Sequence, residues 1–188
     1  MLIGNVVVFL AQMSGAVPLE AFALWPPAGL ESRFEPWQLV SYAFLHGSVT
    51  HLFFNMLALY MFGSEVERLF GTRFYTLYYF AAVVSAALCH LAVTGLMGGT
   101  PYPTVGASGG IYGLLLAFGM YFPHRRVILL FPPIPMRART FVAAFAVIEL
   151  VLGVTQTAAG VAHFAHLGGM LGGFFMIQYR RGGFPFTK

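Results

Sequence analysis

Apolar residues gather along this chain in blocks, and the gaps between blocks hold most of its charge and proline. Blocks of this length and continuity predict helices that face lipid rather than one-sided amphipathic helices of a soluble domain. Six are expected, at 2–15, 49–64, 75–96, 108–122, 140–155 and 162–179. The first is short against the ~20 residues of a full crossing. It lacks a basic leading segment, so it reads as a first span and not as a cleaved signal. Between spans one and two lies a long connector, 16–46, with Pro18, Pro26, Pro27, Pro36, Trp25 and Trp37. Proline and tryptophan in an apolar loop suggest a segment lying in the membrane interface. Shorter connectors are expected at 97–105, 123–137 and 156–161. The expected fold is all-α: a polytopic membrane protein, one six-transmembrane-helix bundle over residues 1–188 with no repeat.

Composition supports this. Of the 188 residues, 59% are hydrophobic and 9% charged, against roughly 25% charged in soluble domains. Ten Lys+Arg against six Glu give a formal charge of +4. Their placement speaks against a nucleic-acid surface. Arg68 and Arg73 follow span two, Arg125, Arg126, Arg137 and Arg139 follow span four, and Arg180, Arg181 and Lys188 follow span six. Only Arg33 falls on the other side, so the positive-inside rule puts both termini in the cytoplasm. The single cysteine, Cys89, lies in an apolar run and reads as a small buried hydrophobe.

Polar residues within apolar helices are costly and point to function. Here they are His51 and Asn55 in span two, His90 in span three, Ser108 in span four, Glu149 in span five, and His163 and His166 in span six. Counted from the basic end of its span, His51 stands 13 residues up, Ser108 14 and His166 13. At 1.5 Å per residue these are all about 20 Å. Three polar groups on three helices therefore share one level, on the outer side of the midplane and roughly 10 Å below the outer surface of a ~30 Å slab. Ser108 sits in Gly106-Ala107-Ser108-Gly109, at the start of a span too short to cross. Irregular backbone at that depth requires protein or a wet cavity around it. Gly109 and Gly113, and Gly169 and Gly173, form small-xxx-small faces that let spans four and six approach closely.

A serine hydroxyl needs a base, and His166 is the candidate. A third member would be a carboxylate. The chain has no Asp, and Glu149 is the one Glu inside a span, so a Ser–His dyad is expected rather than a triad. Tyr112, four residues after Ser108, shares its helix face; it either stacks on His166 or simply packs in the core. The helix-start N–H of Ser108, with His51 and Asn55, can stabilise an oxyanion; the span-two pair can equally serve helix packing. His90 reads as a packing or loop-facing residue. His163 can compete as base, but depth makes it a rim residue. Glu149 has no assigned role; it either pairs with a polar group or is protonated in the bundle.

Together these residues resemble the rhomboid family of intramembrane serine proteases. The likeness lies in His51-x-x-x-Asn55, Gly106-x-Ser108-Gly109 with Tyr112, Ala165-His166-x-x-Gly169-x-x-x-Gly173, and the 63–71 segment at the exit of span two. It implies a Ser108–His166 dyad, His51 and Asn55 at the oxyanion, and Tyr112 stacked on the histidine. It also implies cleavage of transmembrane segments of other proteins in the lipid bilayer, without metal or cofactor, in a cell membrane such as the bacterial inner membrane. In the family the first loop lies partly in the membrane, and span five with the following loop gates access. Trp37-Gln38 departs from the Trp-Arg of many bacterial members, which removes a usual hydrogen-bond anchor of that loop. Two other functions compete. A catalytically inactive scaffold that binds transmembrane helices would ordinarily lack the serine or the histidine. A small transporter would show an inverted repeat and midplane polar groups.

Overall fold

The computed structural model describes residues 1–27, 33–97, 102–128, 133–155 and 162–182. Helices dominate. α1 is Leu2–Met13, followed in the first connector by single turns α2 (Leu19–Phe22) and α3 (Gln38–Ser41) and a 3₁₀ turn at Tyr42–Phe44. α4 (Val49–Ala58) passes through a π turn, Leu59–Gly63, into α5 (Ser64–Phe70). α6 is Thr72–Met97, α7 Ser108–Tyr121, α8 Ala138–Thr155 and α9 His163–Arg180.

The expected helical blocks all form, with altered ends. The second block continues six residues past 64, to Phe70, and stops at Gly71, whose φ of 74° breaks the helix. The third starts at Thr72, directly after that turn. The first ends at Met13, before Gly15 at φ 80°. Thr72–Leu96 and Ala138–Thr155 are long and apolar enough to cross a membrane, whereas Leu2–Met13 and Ser108–Tyr121 are shorter apolar helices. The 123–137 connector, expected as an irregular loop, holds a small antiparallel hairpin, with β1 (Arg126–Ile128) paired to β2 (Pro135–Arg137) and Val127 opposite Met136. The 156–161 link, the 98–101 part of the 97–105 loop, and Lys188 lie outside the described residues.

α6, α7 and α9 form the centre, and glycine lets them do so. A Cβ built on Gly169 of α9 would collide with the Gly109 carbonyl oxygen of α7, and one on Gly113 would lie 3.1 Å from the Gly169 oxygen. The two helices thus meet backbone to backbone, as their small-residue faces predict. Buried hydroxyls then bind helix to helix: Tyr42 Oη donates to the Val83 carbonyl at 2.8 Å, Tyr78 Oη to Gly113 at 2.6 Å, and Ser85 Oγ to Gly168 at 2.8 Å. In an apolar surround each carbonyl satisfies a hydroxyl whose burial without a partner would cost desolvation. Below them Phe62 stacks on Phe141 and meets Phe118 edge-on.

The basic ends gather as the charge pattern requires. Arg125, after α7, pairs with Glu65 of α5 at 2.7 Å, and this hydrogen bond holds the exposed Glu65 carboxyl below its ordinary pKa. Arg180 lies over Phe70 at 4.5 Å and Arg181 over Tyr121 at 4.9 Å. The ends of α5, α7 and α9 therefore share one end of the bundle.

The first connector is anchored despite its Gln38. That side chain is buried; its Nε2 donates to the Arg33 carbonyl at 2.9 Å and its Oε1 accepts from Trp25 N at 3.2 Å. The amide thus takes over the anchoring expected to be lost with the family's arginine. A bridge between Leu24 and Thr104, and a bond from Gly106 N to the Tyr42 carbonyl at 2.9 Å, fasten this connector to the segment leading into Ser108.

Candidate active site

Ser108 is the first residue of α7, after Gly106 at φ 128°. That backbone conformation is accessible to glycine and strained for other residues. Space demands glycine too: a Cβ there would sit 2.8 Å from the His51 ring. On the loop just before, Thr104 Oγ1 bonds His90 Nε2 at 2.9 Å. His90 is thus a buried tether for the segment presenting the serine, in line with its expected packing or loop-facing role.

His166 lies in the first turn of α9. Its Nε2 is 2.8 Å from Ser108 Oγ. Tyr112 stacks on the imidazole with centroids 4.2 Å apart and planes 3° from parallel. Of the two readings of Tyr112, stacking is the one realised.

On the other side of the serine, Ser48 caps α4 by accepting from His51 N at 3.1 Å, which fixes His51 in the helix's first turn. Gly47 N approaches His51 Nδ1 at 3.5 Å. An acceptor at Nδ1 leaves the ring proton on Nε2, the atom facing Gly106. Asn55, one turn on, is buried; its Nδ2 has no hydrogen-bond partner among the described residues and would lie 3.6 Å from a Cβ on Gly106. An unpaired buried donor is expensive. Its place beside the serine is what a donor kept for a transient oxyanion would occupy.

One sequence expectation needs correction. His163 is not a rim residue. It is buried, and its Nδ1 is 2.6 Å from Glu149 Oε2. Of the two readings of Glu149, pairing with polar groups is the one realised, and it is the hub of the site. Its Oε1 accepts from Tyr112 Oη and lies 3.0 Å from His166 Nδ1. The latter is ion-pair distance without hydrogen-bond alignment, since His166 Nδ1 has no aligned partner among the described residues. The absence of Asp therefore does not leave the histidine without a carboxylate. Ala138, Phe141, Val142, Glu149 and Gly153 are the buried positions of α8, a three-and-four spacing that puts Glu149 on the inward stripe. Gly153, one turn on, lets α9 close in, with a Cβ there only 3.2 Å from His163 Cβ.

Glu149, His163 and His166 also offer metal-ligand atoms within 4.8 Å of one another. The carboxylate oxygens already face both imidazoles directly, so the cluster pairs internally.

The rhomboid domain profile matches residues 33–182, most of the chain and every residue of this site. The chain belongs to the rhomboid family. Rhomboid protease GluP of Bacillus subtilis is 33% identical over 147 residues, 78% of this chain and 26% of that protein. Rhomboid protein 1, mitochondrial, of Saccharomyces cerevisiae is 33% identical over 156 residues, 75% of this chain and 41% of its own length. Presenilin-associated rhomboid-like protein A, mitochondrial, of Danio rerio is 32% identical over 145 residues, 75% of this chain and 37% of that protein. This rhomboid therefore spans well under half the length of these curated relatives. As a rhomboid it is an integral membrane protein, and its relatives occur in bacteria and mitochondria.

Proposed function

We propose that this rhomboid is an intramembrane serine endopeptidase that cleaves transmembrane segments of other membrane proteins. The observation that carries this is the 2.8 Å contact between Ser108 Oγ and His166 Nε2, beside a buried unpaired donor on Asn55. His166 takes the hydroxyl proton as Oγ attacks the scissile carbonyl carbon. The carbonyl oxygen becomes an oxyanion, met by the Ser108 N–H at the helix start, by His51 Nε2–H and by Asn55 Nδ2. His166 then passes its proton to the leaving amine, and water repeats the cycle on the acyl-enzyme. Tyr112 keeps the imidazole plane fixed through both transfers.

All six helical blocks cross the bilayer in this reading, with both termini and the arginine-rich end cytoplasmic. α7 begins below the outer surface, so Ser108 opens to a hydrated pocket rather than to lipid.

Cleavage of a single-span substrate in liposomes tests the proposal. Ser108→Ala and His166→Ala are each expected to lower the rate at least ~10³-fold, with melting temperatures close to wild type in detergent. Full cleavage by Ser108→Ala would refute it.

A further inference from the structure

Glu149 is a carboxylate approached by three polar side chains from two other helices. Tyr112 Oη, from α7, donates to Oε1. His163 Nδ1, from α9, is 2.6 Å from Oε2. His166 Nδ1, one turn further along α9, is 3.0 Å from Oε1. The neighbours of Glu149 on α8, Ile148 and Leu150, are 49% and 50% exposed, whereas Glu149 is 7% exposed. The helix thus turns one acidic side chain inward from an otherwise apolar outer face. A buried charge costs several kcal/mol unless it is paired and hydrogen-bonded, and this one is held on both oxygens.

We propose that Glu149 is the positioning residue for His166, acting on the base as a third, charged member of the site. This presupposes the protease chemistry just proposed. Two effects follow from the geometry. A carboxylate oxygen 3.0 Å from Nδ1 repels a lone pair there and favours a proton. Nε2 then carries the free lone pair, and Nε2 is the atom facing Ser108 Oγ. The second effect comes during reaction. When the Oγ–H bond breaks and the proton moves to Nε2, the ring becomes an imidazolium. Glu149 faces that new charge across 3.0 Å, with both side chains largely buried. Glu149 takes no proton itself; the proton leaves from Nε2 to the departing amine.

Tyr112 and His163 keep the carboxylate in place. The phenol does this twice over, because its ring covers the imidazole while its hydroxyl holds the oxygen beside Nδ1. The same oxygen, Oε1, is shared between the phenol and Nδ1. This accounts for an ion-pair contact with His166 that is close yet off the hydrogen-bond axis.

Glu149→Gln keeps size and hydrogen-bonding capacity and removes the charge. Steady-state cleavage of a single-span substrate in liposomes is measured for this variant, Glu149→Asp, Tyr112→Phe and Ser108→Ala. Glu149→Gln is expected to lower kcat roughly 10²-fold with KM within about twofold of wild type, and fluorophosphonate labelling of Ser108 to slow in proportion. Glu149→Asp, which keeps the charge, is expected to recover most of that loss. If Glu149→Gln does not fold, Tyr112→Phe decides: it keeps the stacked ring, frees one carboxylate oxygen, and is expected to lower kcat about fivefold to tenfold at constant KM. Wild-type kcat in Glu149→Gln, or in Tyr112→Phe where the first variant does not fold, overturns the inference. So does equal impairment by Gln and Asp. If Ser108→Ala is inactive in either case, the protease reading stands alone; an active Ser108→Ala removes the protease reading itself.

Discussion

In the site, Glu149 is approached by three polar side chains, whereas Asn55 Nδ2 has no partner among the described residues. Elsewhere among the described residues, Asn5 Oδ1 and Tyr79 Oη are also buried without a partner, and so is His46. Its ring is buried with both nitrogens unpaired among the described residues, against His51 at 5.1 Å and Phe9 at 6.4 Å. Burial, reinforced by the neighbouring His51, lowers its pKa from 6.5 to about 4. The sign follows directly. Between those values the unfolded chain binds a proton that the folded chain refuses, so stability falls as pH drops through this window and levels off below about 4. Melting temperature in detergent is therefore expected to fall between pH 7 and pH 4 by several degrees more in wild type than in His46→Gln. Parallel pH curves for the two proteins would count against this. Of the candidate site residues, His51, Ser108 and His166 were singled out from the chain by shared depth, and Asn55, Tyr112 and Gly106 by their spacing from these and the resemblance to rhomboid motifs. Glu149 and His163 were not, because their roles depend on how α8 is rotated against α9. Nothing in their local sequence announces that two imidazoles will converge on one carboxylate.

The helical elements owe their positions to a few small residues and caps. Ser48 sets the start of α4 and so the place of His51. Gly71 ends α5 and starts α6 without a loop. The blocks themselves were readable from hydropathy, since lipid-facing helices need long apolar runs. Their ends were less so. The continuation of α4 through the π turn into Ser64–Phe70 carries Glu65, Glu67 and Arg68 on a helix that hydropathy alone would have stopped. The β1–β2 hairpin, with three prolines in or beside it, gave no strand alternation to read. The critical contact between elements is α7 on α9. Gly169→Ala would drive a methyl into the Gly109 carbonyl, part the two helices and pull His166 from Ser108. A loss of about 1–3 kcal/mol in stability is expected, together with loss of cleavage. Unchanged melting and activity in Gly169→Ala would show that the backbone approach is not required.

At the scale of the whole molecule, the fold is a device for joining a serine from one helix to a histidine from another inside an apolar bundle. α6 backs both, through Tyr78 to α7 and Ser85 to α9. The first connector pins the segment before Ser108 through Leu24–Thr104 and Tyr42–Gly106. The arginine-bearing ends of α5, α7 and α9 sit together. The most direct measurement of the central claim is the site of covalent modification by a fluorophosphonate. Wild-type protein in detergent is labelled, digested and mapped by mass spectrometry, beside His166→Ala. One adduct on Ser108 is expected in wild type, with at least ~10³-fold slower labelling in His166→Ala. An adduct on another residue, or an undiminished rate without the histidine, would contradict the account.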